Sequence, residues 1–154
     1  DRNGVIIVAP RGTRTWWMDS PVDPKYRYET FVVGEMLPWV EANYRTIPDR
    51  AHRAACGASM GGQGACWIGF RHRDVFGAVG NIYGGVDFRA FKDPTGLDRV
   101  LGPLSGNTDR WKVHCAITAS ESLADGDIGG DCLMSRVDQR MEHVRAEMAE
   151  RACE

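Results

Sequence analysis

No stretch of this 154-residue chain holds the run of about 18 apolar residues that a membrane-spanning helix needs. Charge of one sign is not in excess either. The 19 Lys and Arg nearly balance the 21 Asp and Glu, leaving a net charge of −2, so there is no electrostatic case for nucleic acid or an anionic membrane as a partner. No basic stretch followed by an apolar one opens the sequence, and no signal peptide is visible. The compartment, cytoplasmic or secreted, stays open. Cysteine is sparse: five residues, an odd count, with no C-x-x-C, which supplies neither a disulfide framework nor a zinc site. No H-x-x-E-H or similar ligand cluster occurs, so no metal and no cofactor is implied. Repeats and low-complexity segments are also missing. What is left is an ordinary globular composition, 43% apolar and 26% charged, over a length that suits one domain, residues 1–154.

Glycine, by contrast, is plentiful, with 18 residues, and one cluster of it carries a pattern. Gly57-Ala58-Ser59-Met60-Gly61 reads G-x-S-x-G. The small-residue run Arg53–Cys56 before it suits a buried strand, and Gln63–Phe70 after it suits a helix. Strand, tight turn and helix is the setting in which this pattern presents a nucleophilic serine. On that reading Gly57 and Gly61 are glycine because side chains there would collide with the neighbouring strand and helix. The helix N-terminus would turn its free N–H groups toward a reacting carbonyl oxygen. The plainer alternative is a glycine-rich turn with no chemistry. Cys56 and Cys66, on either side, read as small buried hydrophobes.

The rest of the chain reads as alternating strands and helices. Gly4–Ala9 is a continuous β-branched run, as in a strand buried on both faces of a parallel sheet. Val5–Ala9, Arg53–Cys56 and Ala78–Tyr83 are expected as adjacent parallel strands. A chain that opens on a central strand reads as a fragment. The loop from Arg11 to Arg27 holds Trp16 and Trp17, which either line an acyl or aromatic pocket or cover the sheet edge. Glu29–Tyr44 has the spacing of a helix, with Phe31, Val32, Met36, Trp39, Val40 and Tyr44 as its apolar stripe. Pro38 should kink it or break it near Leu37. Val86–Asp109 looks like an irregular insertion, and the course of Trp111–Leu123 is open. Ser135–Cys153 reads as a helix with Val137, Met141, Val144 and Met148 on its buried side.

Taken together, several stretches resemble the "Putative esterase" family of α/β-hydrolases. They are Gly4–Pro10, Trp17–Pro24, Tyr28-Glu29-Thr30, the helix running to Tyr44-Arg45-Thr46-Ile47, Cys56–Gly64, His72–Phe76 and Gly84–Asp87. The group looks like S-formylglutathione hydrolases (esterase D), feruloyl and acetylxylan esterases, and antigen 85 mycolyltransferases. The resemblance implies a three-layer α/β-hydrolase fold with a mainly parallel sheet, truncated here at both ends. It implies Ser59 as nucleophile and the Met60 N–H as one oxyanion donor, the second coming from a loop that would precede Asp1. Asp131, in Asp127-Ile128-Gly129-Gly130-Asp131-Cys132-Leu133, is the nearest match to the triad acid, with Asp127 beside it. The family's histidine lies beyond a helix like Ser135–Cys153. Of His52, His72, His114 and His143, only His114 sits in a segment uncertain enough to reach the site. The implied activity is hydrolysis of a small-molecule or carbohydrate-linked ester. Acyl transfer to a sugar hydroxyl, or a non-catalytic domain of the same fold, is the alternative.

Overall fold

The computed structural model describes residues 4–90 and 96–123. In chain order these contain α1 (Tyr28–Thr30), a π-helical stretch (Phe31–Met36), α2 (Leu37–Asn43), a 3-10 turn (Arg50–His52), β1 (Ala54–Ala58), α3 (Met60–Arg71), β2 (Ala78–Ile82), a second 3-10 turn (Phe88–Ala90), α4 (Leu97–Leu101), α5 (Thr108–Val113) and α6 (Ala116–Ser120). The two strands run parallel, with Ala54 opposite Ala78 and Ala58 opposite Ile82. A parallel pair cannot be joined by a tight turn, so the chain crosses over between them, and α3 is the crossover. The expected pairing of the strands near Arg53–Cys56 and Ala78–Tyr83 is thus present.

α3 carries Gly61, Gly62, Gly64 and Gly69, a poor composition for a helix. It forms because it is buried: every residue from Gly62 to Phe70 is shielded from solvent, and packing overrides propensity. Two of those glycines let the body of the helix approach its neighbours closely. A Cβ at Gly64 would overlap the Trp17 ring, and one at Gly69 would overlap the Val79 side chain.

α1, the π-helical stretch and α2 follow one another without a gap, so Pro38 does not end the helix. Proline has no N–H to give to the carbonyl four residues back. The helix accommodates this by widening ahead of it: the Leu37 N–H bonds back to the Val32 carbonyl, five residues away. The extra residue in that turn shifts the phase of the apolar stripe. Val32 and Val40 are buried, while Phe31, Trp39 and Tyr44 are exposed, with Trp39 and Tyr44 packed edge-on against each other, 5.9 Å apart. The helix start is tied to the preceding loop by Asp19, whose carboxylate accepts from the Thr30 N–H at 3.0 Å and from the Thr30 hydroxyl.

Further expectations are corrected. Val5–Ala9 is not a strand. A strand exists only through its ladder, and among the described residues β1 pairs with β2 alone. Val5, Ile6, Ile7 and Val8 are exposed, and a cleft of about 680 Å³ lies between this segment, α2 and β1. Its walls include Val8, Trp17, Val40, Cys56, Gly61 and Ile68. Cys56 is exposed rather than buried, because it lies on the uncovered face of β1 with Ala54 and Ala58, whereas Cys66 is buried in α3. The region Val86–Asp109, expected as an irregular insertion, contributes Phe88, Leu97, Val100 and Leu101 to the fully buried core, and Trp111–Leu123 is helical in α5 and α6. The expected helix Ser135–Cys153 lies outside the described residues.

One carboxylate joins the helical layers. Glu29, on the first turn of α1, is buried. Its oxygens accept from Trp67 Nε1, Arg71 Nε and His72 Nε2, each at 2.8 Å. Burial alone would push its carboxyl above the ordinary value of 4.5. The hydrogen bonds from His72, Arg71 and Trp67, with the charge of Arg71, outweigh that and hold it below. A carboxyl with a depressed folded-state pKa contributes stability above its unfolded value, and that stability is lost as pH falls through the folded value. The melting temperature should therefore drop on acidification below about pH 4.5. Glu29→Gln should flatten that dependence, and Glu29→Ala should cost about 1.5–3 kcal/mol in denaturant unfolding at neutral pH. A Glu29→Gln protein with an unchanged acid profile would remove this carboxylate from the account.

Candidate active site

β1 ends at Ala58 and α3 begins at Met60, so the turn between them is the single residue Ser59. Its backbone has φ +53° and ψ −123°, a conformation that L-residues rarely adopt and that surrounding structure has to hold. Both ends of the residue are held. The Ser59 N–H donates to the Ile82 carbonyl at the end of β2, at 3.0 Å. Its own carbonyl accepts from the N–H groups of Gly62 at 2.9 Å and Gln63 at 3.1 Å. The side chain, with the backbone pinned beneath it, is exposed. Met60 is half-buried and opens α3, where the first N–H groups of a helix have no intrahelical partner.

The turn survives only because its neighbours lack side chains. A Cβ at Gly57 would overlap the Gly61 backbone. One at Gly62 would overlap the Asn81 side-chain oxygen, and one at Gly84 would lie 2.5 Å from both the Ser59 carbonyl oxygen and the Gln63 nitrogen. Gly61 itself faces open space, so the collision expected there does not occur. The glycines that matter are Gly57, Gly62 and Gly84, the last contributed from beyond β2. Asn81 clamps that third approach: its Oδ1 accepts from the Gly84 N–H at 2.7 Å and its Nδ2 donates to the Gly84 carbonyl at 3.0 Å. Between them Tyr83 is held at φ +45°, and the residue is 81% exposed. Neither Asn81 nor Tyr83 carries a motif that sequence reading could have caught. Gln63, one turn into α3, is fully buried, and its amide meets no partner among the described residues.

The described histidines lie elsewhere. His52 precedes β1, at the opposite end of the strand from Ser59, and pairs with Asp49 at 2.7 Å. His72 follows the last turn of α3 and is bound to Glu29. His114 stacks on Trp67, with ring centroids 5.6 Å apart, and its Nδ1 faces the Arg110 carbonyl at 2.7 Å. Burial pushes its pKa below the ordinary value, opposed by that hydrogen bond and aided by the charge of Arg71. Trp67 is eight residues beyond Ser59 in α3, roughly 12 Å along the axis at 1.5 Å per residue, so His114 belongs to the far half of the helix. His143, Asp127 and Asp131 lie outside the described residues. Trp16 is buried edge-on against Phe88, 5.1 Å between centroids. Trp17 packs edge-on against Tyr28, also at 5.1 Å, and lines the cleft beside β1. Among the described residues no group of three His, Cys, Asp or Glu could hold a metal ion, and no helix is long and apolar enough to cross a membrane.

The sequence pattern that defines the "Putative esterase" family matches residues 2–149. Esterase Rv1288 of Mycobacterium tuberculosis is 36% identical over 130 residues, which is 82% of this chain and 24% of that protein. The diacylglycerol acyltransferase/mycolyltransferase Ag85A of M. tuberculosis is 26% identical over 121 residues, 72% of this chain and 35% of that one. A solved structure titled ferulic acid esterase superposes with a TM-score of 0.51 at 32% identity, over 72% of this chain and 38% of that chain. The chain therefore spans about a quarter to two fifths of the length of these relatives.

The unequal crowding of the glycines is testable. Gly57→Ala should abolish or severely destabilise the fold, because the atom it must displace is backbone. Gly61→Ala should be neutral or stabilising by up to about 1 kcal/mol, since alanine favours a helix over glycine. Thermal melts of the two variants should separate in that order, and a reversed order would refute the packing described around Ser59.

Proposed function

The chain belongs to the "Putative esterase" family and has the α/β-hydrolase fold, and on that premise we propose that Ser59 is the nucleophile of a carboxylic-ester hydrolase. The observation that carries this is the strained backbone of Ser59, held at both ends beneath an exposed hydroxyl at the mouth of α3. Ser59 Oγ adds to the ester carbonyl while a histidine takes its proton. The oxyanion that forms meets the Met60 N–H at the positive end of the helix, the alcohol leaves, and water releases the acyl group from the serine. The aspartate that fixes the imidazole tautomer is assigned to Asp131. Trp17, on the cleft wall against Gly64, is the tryptophan assigned to substrate contact, and Trp16 is buried against Phe88. The substrate is a small-molecule or carbohydrate-linked ester, and no cofactor is called for.

The likeness to a mycolyltransferase favours a second reading, in which a sugar hydroxyl replaces water in the last step. The two share every step up to the acyl-enzyme and part only at the acceptor.

The test uses the protein expressed from its complete gene. A fluorophosphonate probe should label Ser59, and short-chain aryl esters should be hydrolysed. Ser59→Ala should end both, with a loss of turnover on the order of 10⁶, while the melting temperature stays near that of the parent. Asp131→Asn should reduce turnover by about 10⁴, because the imidazole then takes the wrong tautomer. Unchanged turnover in Asp131→Asn would move the acid to Asp127. An added sugar acceptor that diverts product from acid to ester would select the transferase reading. Absence of labelling in the parent would make the domain a non-catalytic member of its fold.

A further inference from the structure

We propose that Tyr83 is the specificity-determining side chain beside Ser59, and that it receives a planar aryl group of the ester. The inference rests on the reading of Ser59 as nucleophile. It starts from position. The Ile82 carbonyl that accepts the Ser59 N–H at 3.0 Å belongs to the peptide that Tyr83 completes. The residue is therefore the immediate neighbour of the serine across the ends of β1 and β2.

Conformation makes the second point. A bulky aromatic residue at φ +45° is an outlier, since glycine or asparagine occupies that region far more easily. The turn nonetheless holds it, through both polar atoms of the Asn81 side chain and through the seating of Gly84 against the Ser59 carbonyl. Burial does not compensate, because the residue is 81% exposed. A strained backbone and an exposed aromatic ring both work against stability, and side chains kept under those conditions cluster where a ligand binds.

Chemistry makes the third. Ala58 and Ile82 face each other across the ladder and are both exposed. They place two apolar side chains at the end of the sheet, and the next residues along the two strands are Ser59 and Tyr83. A flat apolar group attached to the scissile carbonyl would lie on those side chains with its ring against Tyr83. The phenol of Tyr83 can give or accept one hydrogen bond with a ring substituent.

The experiment compares Tyr83→Gly, Tyr83→Asn and Tyr83→Phe in the protein expressed from its complete gene. Glycine and asparagine accept the left-handed backbone, so the turn and the fold are retained. The substrates are p-nitrophenyl benzoate and p-nitrophenyl butyrate, which share a leaving group. Tyr83→Gly and Tyr83→Asn should lose roughly 2- to 12-fold in kcat/KM on the benzoate, the range for one aromatic contact. The loss should fall mainly in KM, with little change on the butyrate. Tyr83→Phe should keep the benzoate rate, and the melting temperature of Tyr83→Gly should equal or exceed that of the parent. An equal loss on both esters, or no loss, would overturn the proposal. A second measurement needs no catalysis: benzoate binding to Ser59→Ala, followed by NMR titration, should weaken by a similar factor when Tyr83→Gly is added. Unchanged binding would overturn the proposal by itself. If the serine reading fails instead, the parent shows neither labelling nor hydrolysis while benzoate binding still depends on Tyr83.

Discussion

The described structure depends on one close contact between backbones, where the start of α3, the end of β1 and the turn after β2 meet at Ser59. Three glycines make the contact possible, and three backbone hydrogen bonds to Ser59 fix it. Remove the room at any of the three and the serine must leave its left-handed conformation, the helix must tilt, or the strands must separate. The strain is affordable because α3 is buried along most of its length. Its helical geometry is settled by the core and not by its own glycine-rich sequence. The Glu29 cluster acts at the far end of the same helix, where one carboxylate gathers Trp67, Arg71 and His72. The helix is thus positioned at its two ends by different physics: steric fit at the serine, charge-assisted hydrogen bonding at the other end.

Much of this was legible in the sequence, because the signals were local. The elbow was readable from glycine spacing and small-residue flanks. The pairing of the strands around it followed from the need of a crossover helix. The helix at Tyr28–Asn43 was readable from apolar spacing, but its π-helical stretch was not. Pattern reading assumes a constant turn, and after one widened turn Trp39 is exposed, while Tyr44 lies past the helix end in extended backbone.

What escaped was mostly non-local. Val5–Ala9 has every compositional mark of a central strand, yet strand identity is conferred by a partner, and composition cannot say whether the partner is in reach. The collision assigned to Gly61 belongs to Gly62 and Gly84, a distinction that needs the positions of Asn81 and the second strand. Glu29 stood in the sequence only as the first residue of a helix, and its burial with three donors from α3 and its end is a tertiary fact. Tyr83 was read as the end of a strand, since backbone strain leaves no trace in residue type when the residue is the wrong one for the turn.

The separation of the described thiols has a practical side. Cys66 and Cys115 are buried, and burial pushes the Cys115 thiol up to about 11, so at neutral pH it stays protonated and chemically quiet. Cys56 lies uncovered on β1, three residues before Ser59. Among the described cysteines, a maleimide would thus find its target at Cys56, roughly 10 Å of extended chain from the serine. That gives a place for a fluorophore or spin label that reports on the strand beneath the turn without entering the turn itself.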